Sequence, residues 1–185
     1  MSRIAISLFS GAGGLDIGIK KAGFDVKLAV EIEPTYCETL KTNFPTLEVK
    51  QGDVMDYFKE RLYKEAKLSQ NEEADFLFGG SPCQSFSTAG KRQAFDDPRG
   101  KAMLKFADLV NEVQPKVFLL ENVRGLLSSA LKHVPIKERK SRKLKPDEQP
   151  GSALRYLISL FKDYKGKCKL LNAADYGVPQ TRERV

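Results

Sequence analysis

Histidine and cysteine are scarce in this chain, and their scarcity limits the chemistry open to it. The 185 residues include one histidine and three cysteines. A single histidine supplies too few ligands for a histidine-rich metal centre and only one candidate base for serine–histidine chemistry, so both are disfavoured. The cysteines, Cys37, Cys83 and Cys168, are odd in number and far apart, so they do not indicate a disulfide framework or a zinc cluster.

Long apolar runs are also missing. The sequence has no apolar amino-terminal segment and no apolar stretch of about 18 residues, which predicts a cytosolic protein that does not enter a membrane. Hydrophobic residues make up 41% and charged residues 30% of the chain, as is usual in globular proteins. We therefore expect residues 1–185 to form a single domain with a sizeable core.

Positive charge is concentrated in one stretch of the chain. Residues 132–145 hold seven Lys or Arg and one Glu, so they carry +6 of the net charge of +7. A run of this kind is usually a solvated loop, and we predict a basic loop over residues 132–151. Its share of the total charge is consistent with a polyanionic partner, although charge alone does not identify one.

Short apolar runs alternate with helical patterns in the first half of the chain, which predicts an α/β fold. Residues 4–9 end in the glycine-rich segment 10–14. Such a turn lets a cofactor approach the backbone, although it can also be only a tight connection. The spacing is not G-x-G-x-x-G, which disfavours NAD. Glu31 and Asp53 follow the next two runs and suit cofactor hydroxyl or amino groups, with helix capping and turn formation as the alternatives.

A cysteine follows the central apolar run. Residues 74–78 predict a strand buried on both faces, after which paired glycines and Pro82 present Cys83 at the mouth of a turn. Open α/β sheets carry their reactive groups at the carboxyl ends of the strands, while a small buried cysteine is the alternative. The polar segment 88–99 is predicted to be a flap over the site or a long loop.

Two further motifs offer a proton donor and an anion-binding group. Residues 116–120 predict a strand that ends at Glu121 and Asn122, and strands adjacent in sequence tend to be adjacent in space. A carboxylate there would share a cleft with Cys83 as its proton donor, unless it is a chance end residue. Residues 180–184 place two guanidiniums on one face of an extended segment, which suits a carbonyl oxygen or phosphate, with solvated arginines as the default reading.

Together these motifs resemble those of the DNA (cytosine-5) methyltransferase family. The resemblance covers nearly the whole chain and keeps the family's order. Residues 9–14 resemble its cofactor glycine motif and residues 82–84 its nucleophile motif. Residues 121–123 resemble its catalytic acid motif, and residues 180–184 resemble its Q-x-R-x-R motif. Each motif alone is modest, but four in order are highly specific.

The resemblance implies a Rossmann-like, S-adenosylmethionine-dependent methyltransferase fold, with a mostly parallel sheet, helices on both faces and an incomplete carboxyl-terminal end. S-adenosylmethionine would be the methyl donor and S-adenosylhomocysteine the product, without a metal. Glu31 would bind the ribose, Asp53 the adenine amino group, and Ile32 would lie against the adenine face. The implied cofactor residues are Phe9, Gly11, Ala12, Gly13, Gly14, Glu31, Ile32, Asp53, Val54 and Pro82.

The resemblance also implies a covalent mechanism on a cytosine flipped out of double-stranded DNA. The thiolate of Cys83 would add to C6 and make C5 nucleophilic. Glu121 would share a proton with N3, while Arg184, supported by Arg182, would fix the base carbonyl and stabilise developing charge. Asn122 would orient the site.

The family continues past Arg184 with another strand, a target-recognition region and a carboxyl-terminal helix that completes the cofactor pocket. We therefore expect a fragment, either truncated or the amino-terminal subunit of a two-polypeptide enzyme, that is inactive alone. Residues 167–171 are predicted to form a strand in which Cys168 is packed. That strand would lack its ladder partner, which leaves a hydrophobic edge open.

The predicted function is cytosine-5 methylation in a bacterial restriction–modification system, by a cytoplasmic, nucleoid-associated enzyme. Two alternatives remain from the sequence. One is a tRNA cytosine-5 methyltransferase of the same architecture, which the residues before Pro82 disfavour. The other is a non-catalytic, methyltransferase-like module that binds DNA or a partner.

Overall fold

The computed structural model describes residues 3–82, 98–139 and 141–185. The chain divides into two compact units. The first, the sheet unit, contains Met1–Ser81 and Asp108–Leu120. The second, the carboxyl-terminal unit, contains Pro82–Ala107 and Glu121–Val185. None of the helices in the described residues is long and apolar enough to span a bilayer.

Strands and helices alternate along the sheet unit, as the hydrophobic pattern predicts. The strands of the described residues are β1 (Arg3–Leu8), β2 (Phe24–Glu31), β3 (Glu48–Gln51), β4 (Phe76–Gly80), β5 (Val117–Glu121), β6 (Leu171–Asn172) and β7 (Glu183–Arg184). The α-helices are α1 (Gly14–Lys21), α2 (Pro34–Asn43), α3 (Lys59–Glu65), α4 (Pro98–Val113), α5 (Ile136–Arg139) and α6 (Ser152–Ser159).

The main sheet has five strands in the order β3-β2-β1-β4-β5. The pairs β1–β2, β1–β4 and β2–β3 are parallel, and α1 and α2 form the crossovers between β1, β2 and β3. The predicted α/β class is therefore confirmed. Because parallel strands end at the same edge, the residues that follow β1, β2 and β3 lie together at the carboxyl edge of the sheet.

The core lies on both faces of β1. Ile4, Ile6 and Leu8 alternate with Ala5 and Ser7, and each of the five is at most 4% exposed. A strand buried on both faces reads as a continuous apolar run, which is why no period of two marks it in the sequence. One face packs on a cluster from α1, α2 and the neighbouring strands, formed by Ile19, Val26, Ala29, Cys37, Leu40, Leu47, Val49, Phe76 and Phe78.

The last described segment folds back on itself. β6 pairs with β7 in antiparallel fashion, with Leu171 opposite Arg184. On its other side, Arg184 bridges Val123, and the backbones of Asn122 and Val185 exchange two hydrogen bonds of 2.8 and 2.9 Å. The chain reverses at Gly177, whose φ of 85° lies in the left-handed region that favours glycine.

Three sequence expectations for this segment are wrong. The strand covers only Leu171–Asn172 rather than residues 167–171, and Cys168 is exposed rather than packed. The final strand also has a ladder partner, because residues 183–184 return to pair with it. Local apolar content cannot reveal this pairing, since Leu171 pairs with Arg184 and Asn172 with Glu183, 13 and 11 residues further along the chain.

The basic stretch is more ordered than the predicted loop over residues 132–151. It contains α5 and a 3-10 turn at Pro146–Glu148, and Glu148 is only 4% exposed. An acidic side chain is almost never buried this deeply unless it is paired. The predicted basic loop therefore contains two short ordered elements, and the partners of Glu148 are described below.

Asp16 in α1 has a buried carboxylate side chain. It is fully buried, and neither carboxylate oxygen has a hydrogen-bond partner within the described residues. Burial raises the pKa of this carboxyl above its usual value, because desolvation disfavours the charged form.

Replacing Asp16 with asparagine is expected to stabilise the chain near neutral pH, by on the order of 1 kcal/mol. The folded-state pKa is raised, so folding binds a proton and the wild-type chain loses stability as the pH rises from the unfolded pKa through the folded pKa. Urea unfolding from pH 4 to 8 should show the advantage of Asp16→Asn shrinking toward acid pH. The exposed control Asp163→Asn should change little, and lower stability of Asp16→Asn at pH 7 would contradict the idea.

Candidate functional site

The loop after β1 holds its backbone in a rarely populated conformation. Phe9, Gly11 and Gly13 have φ angles of 53°, 54° and 85°. For the non-glycine Phe9 this conformation costs on the order of 1–3 kcal/mol, and strain of this kind is concentrated at ligand-binding sites. The segment that the sequence marks as a cofactor loop is therefore a tight, strained turn at the carboxyl end of β1.

Glycine is needed at two points in this loop for different reasons. A Cβ on Gly13 would lie 2.7 Å from a Phe44 ring carbon and 2.9 Å from a Leu40 methyl, so Gly13 lets α2 approach the loop. A Cβ on Gly11 or Gly14 would meet nothing within 4 Å. The loop therefore packs tightly through Gly13 and leaves open space beside Gly11 and Gly14.

Glu31, at the end of β2, ties the glycine loop to the start of α2. Its side chain is 6% exposed. Oε2 accepts a hydrogen bond of 2.7 Å from the Gly11 amide, and Oε1 accepts one of 2.9 Å from the Glu33 amide. A carboxylate offers about four lone-pair sites, so these two bonds leave capacity for ligand hydroxyl groups.

The adjacent strand ends supply an apolar side chain and a second acid. Ile32 follows β2 and is 54% exposed. Asp53 follows β3, is exposed, and accepts a hydrogen bond of 2.9 Å from the Met55 amide through Oδ1. The turn role that the sequence left open for Asp53 is thus present. Val54 is 3% exposed and packs inward, which anchors that turn.

A second constellation lies in the carboxyl-terminal unit. The Nε of Arg184 lies 2.6 Å from Oε1 of Glu121, and both side chains are about one-third exposed, at 28% and 31%. Arg184 also donates through Nη1 to the Glu183 carbonyl at 2.7 Å. The predicted catalytic acid and the predicted base-binding arginine are therefore in direct contact.

Backbone pairing positions this ion pair. Asn122 is 1% exposed, exchanges backbone hydrogen bonds with Val185, and accepts from the Val123 amide at 2.9 Å through its own side-chain oxygen. These bonds clamp residues 183–185 beside the end of β5. The Glu121–Arg184 contact thus rests on a strand pairing between distant parts of the sequence.

Asn172 is a supporting residue that sequence reasoning missed. Its Oδ1 accepts hydrogen bonds from the amides of Ala174 and Arg182, at 3.2 and 3.0 Å, and so closes the turn that carries residues 173–182. Arg182 itself is exposed. An asparagine directly before a short turn that ends in glycine is the signal that could have found it.

The predicted nucleophile Cys83 and residues 84–97 of the predicted flap lie outside the described residues. Pro82, directly before them, is described and exposed. Across the described ranges, no group of three or more His, Cys, Asp or Glu could hold a metal ion.

These features define a class of protein. A strained glycine loop with open space beside it and carboxylates at the ends of consecutive parallel strands are typical of α/β proteins that bind nucleotide-containing cofactors. The profile of the C-5 cytosine-specific DNA methylase family matches residues 4–185. The chain belongs to this family.

Two of its relatives are named as Type II methyltransferases of bacteria. The chain is 42% identical over 185 residues to the Type II methyltransferase M.AquIA of Picosynechococcus, covering all of this chain and 71% of that protein. It is 40% identical over 189 residues to the Type II methyltransferase M1.HphI of Haemophilus parahaemolyticus, again covering all of this chain but 45% of that protein. The chain thus spans less than half of some relatives that it matches along its whole length.

Solved structures give the same fold. A candidate DNA modification methyltransferase encoded within an Escherichia coli prophage superposes with a TM-score of 0.74 at 33% identity, over 99% of this chain and 45% of that one. The Dnmt2 methyltransferase of S. pombe superposes with a TM-score of 0.63 at 18% identity, over 100% and 48%. The second likeness concerns the fold alone.

The family is S-adenosylmethionine-dependent, and the residues of the sheet unit fit such a group. Open space adjoins Gly11 and Gly14, where a backbone can come close to a ligand. The buried carboxylate of Glu31 and the exposed carboxylate of Asp53 stand at successive strand ends. The exposed Ile32 between them offers an apolar surface to a flat ring.

Proposed function

We propose that this chain is the cofactor-binding and catalytic portion of a DNA cytosine-5 methyltransferase of the bacterial restriction–modification type. The observation that carries the proposal is the 2.6 Å contact between Glu121 and Arg184, in a chain whose family match runs from residue 4 to residue 185. An acid and a guanidinium held together suit a ring that presents a ring nitrogen beside a carbonyl oxygen. Cytosine, with N3 next to its C2 carbonyl, is such a ring.

The proposed cofactor site lies along the carboxyl edge of the sheet unit. S-adenosylmethionine, when bound, supplies an electrophilic methyl group. Glu31 accepts hydrogen bonds from the ribose hydroxyls with the lone pairs that the Gly11 and Glu33 amides leave. Asp53 accepts from the adenine amino group, and Ile32 covers the adenine face. Backbone contacts complete the proposed pocket, from Phe9, Gly11, Ala12, Gly13, Gly14, Val54 and Pro82.

Cys83 is the proposed nucleophile. Its thiolate forms a bond to C6 of the cytosine, and the electrons displaced from the C5–C6 double bond make C5 nucleophilic. Once C5 carries a methyl group, transfer of the C5 proton to a water molecule re-forms the double bond, breaks the C6–sulfur bond and returns the thiolate. The thiolate, unlike the thiol, is the reactive species.

Glu121 and Arg184 stabilise the charge that this addition places on the ring. Glu121 shares a proton with N3, and Arg184 donates to the base carbonyl. Their mutual contact holds both side chains in place before a base enters, so less order is lost on binding. Asn122 acts through the backbone clamp that positions Arg184, and Arg182 adds positive charge to the same segment.

The substrate follows from this chemistry. C6 of cytosine is inaccessible inside a duplex, so the base has to be flipped out of double-stranded DNA. Modification of bacterial DNA would take place in the cytoplasm, at the nucleoid.

We further propose that turnover needs a polypeptide segment beyond the residues of this chain, on the same or a second polypeptide. β5 is an edge strand of the main sheet, and Val117 and Leu119 on it are 52% and 38% exposed. An exposed apolar edge strand is a template for pairing with another strand. Covering it would protect these apolar side chains from solvent.

The function is tested by methyl transfer. The chain is mixed with labelled S-adenosylmethionine and either double-stranded DNA or tRNA, with and without a polypeptide that supplies the remaining length of the family. We expect label in DNA cytosine, and a denaturant-stable adduct with 5-fluorocytosine DNA, only in the complemented mixture. Label in tRNA alone would show that tRNA, not DNA, is the substrate. No label or adduct on either nucleic acid would overturn the proposal that the complemented protein is a methyltransferase.

A further inference from the structure

The basic stretch of residues 132–145 is here called the basic platform, and its described residues, 132–139 and 141–145, are held in place by hydrogen bonds. Glu148 is its central anchor. Its two oxygens accept a forked pair of hydrogen bonds from the guanidinium of Arg142, at 2.6 and 2.8 Å, and Oε2 also accepts from the Lys145 amide at 2.8 Å. The Arg142 guanidinium and the Lys145 amide lower the pKa of Glu148 to about 2, so this anchor stays charged at any physiological pH.

Further hydrogen bonds fasten both ends of the platform. The Lys132 amide donates to the Asp147 carbonyl at 2.8 Å. The hydroxyl of Ser152 accepts from the Leu131 amide and donates to the Asp147 carbonyl, both at 2.8 Å. In the middle, Arg139 donates through Nε to the Val134 carbonyl at 2.7 Å.

Some cations of the platform are paired within the chain, and others are exposed to solvent. Arg142 is paired with Glu148 and Arg139 with the Val134 carbonyl, whereas the four described lysines of the platform are exposed. Like charges held together on a fixed frame repel one another, and this repulsion is relieved when a polyanion binds and its counterions are released. The exposed lysines are Lys132, Lys137, Lys143 and Lys145.

We propose that the basic platform binds the phosphate backbone of duplex DNA. This inference rests on the proposed action on DNA, and it assigns a contact that none of the proposed catalytic or cofactor residues makes. Phosphate contacts fix the position of a protein on a duplex without reading its sequence. A platform ordered before binding loses less conformational freedom than a mobile loop would.

The first test removes the charge and measures binding, not turnover. Affinity for a duplex of about 30 base pairs is followed by fluorescence anisotropy across a salt series, with no methyl donor present. Each phosphate contact contributes about 0.9 to the slope of log affinity against log salt concentration. If each of the four exposed lysines contacts one phosphate, changing them to glutamine should lower the magnitude of the slope by about 3.6 and the affinity at low salt by at least about tenfold. The variant is Lys132→Gln, Lys137→Gln, Lys143→Gln and Lys145→Gln.

A matched control removes the same charge elsewhere. The control lysines are all exposed and lie outside the platform, and their loss should leave the slope nearly unchanged. Equal slopes for the two variants would overturn the proposal, as would loss of tRNA binding with duplex binding intact. The control variant is Lys21→Gln, Lys41→Gln, Lys64→Gln and Lys165→Gln.

A second variant separates order from charge. Glu148→Gln makes the chain more positive, so a purely electrostatic account predicts tighter DNA binding. Loss of the anchor predicts weaker binding instead, because Arg142 and Lys145 are no longer held by the carboxylate. Tighter DNA binding by Glu148→Gln would overturn the proposal that the order held by Glu148 contributes to binding. These experiments measure DNA binding and not a reaction. A chain that transfers no methyl group could still bind DNA through the platform, and a platform that does not bind DNA would leave the proposed catalysis untouched.

Discussion

Replacing Cys83 with serine is expected to abolish the covalent adduct with 5-fluorocytosine DNA and to lower methyl transfer by on the order of 10⁴-fold. A thiol is partly ionised near neutral pH, whereas a serine hydroxyl without an adjacent base is not, so addition to C6 loses its nucleophile. The oxygen is also smaller and less polarisable than the sulfur it replaces. DNA binding in the absence of turnover should persist, because the phosphate contacts proposed for the basic platform do not involve this side chain.

The other two cysteines provide internal controls. Cys168 is exposed, so Cys168→Ser should retain both the adduct and the activity of the complemented protein. Cys37 is 2% exposed, and its thiol donates to the Glu31 carbonyl at 3.4 Å. Burial raises the pKa of Cys37, which keeps it a neutral core residue. An adduct that survives Cys83→Ser but disappears in Cys168→Ser would reassign the nucleophile.

The parts of the fold that follow from local patterns were predictable. β1 and β4 are short apolar runs bounded by glycine, and a strand buried on both faces needs no information from distant residues to be recognised. The alternation with amphipathic helices then requires parallel strands, because each crossover returns the chain to the same edge. Glu31 and Asp53 were predicted as cofactor residues because they stand at the ends of such strands, and that role stays a prediction.

The remaining features depend on contacts between residues far apart in sequence. The ladder of Asn122 with Val185 joins positions that share no local pattern. The return of β7 gives β6 the ladder partner that it was predicted to lack. Cys168 lies in a mixed apolar and basic stretch that resembles a strand locally, yet tertiary pairing begins only at Leu171. Sequence alone also does not show that Glu31 already binds the Gly11 amide.

The basic platform illustrates how one residue changes the meaning of a charge pattern. Seven cations in fourteen residues predict a solvated loop, and that prediction is usually sound. Here a single carboxylate, Glu148, follows the run and is buried by it. The sequence shows that Glu148 is present, but not that both of its carboxylate oxygens accept hydrogen bonds from the Arg142 guanidinium. That pairing forms only in the folded chain.

Replacing Gly79 with alanine is expected to destabilise the sheet unit by about 3 kcal/mol or more. Gly79 lies in β4 opposite Leu8 of β1. A Cβ at this position would stand 2.3 Å from the Leu8 carbonyl oxygen and 3.1 Å from the carbonyl carbon. The obstruction is backbone, not the flexible end of a side chain, so relief requires the two central strands to separate. Chemical denaturation followed by circular dichroism would measure the loss.

The matched control is the same chemical change where space is free. Gly18 lies inside α1, and a Cβ there would meet nothing within 4 Å. Gly18→Ala should therefore stabilise the chain by about 0.5–1 kcal/mol, since glycine is a poorer helix former than alanine. A total stability on the order of 5–15 kcal/mol makes both changes measurable. Equal stability of Gly79→Ala and the wild type would mean that β1 and β4 do not approach as closely as described. That result would also remove the reason for glycine in the strand that leads to Cys83.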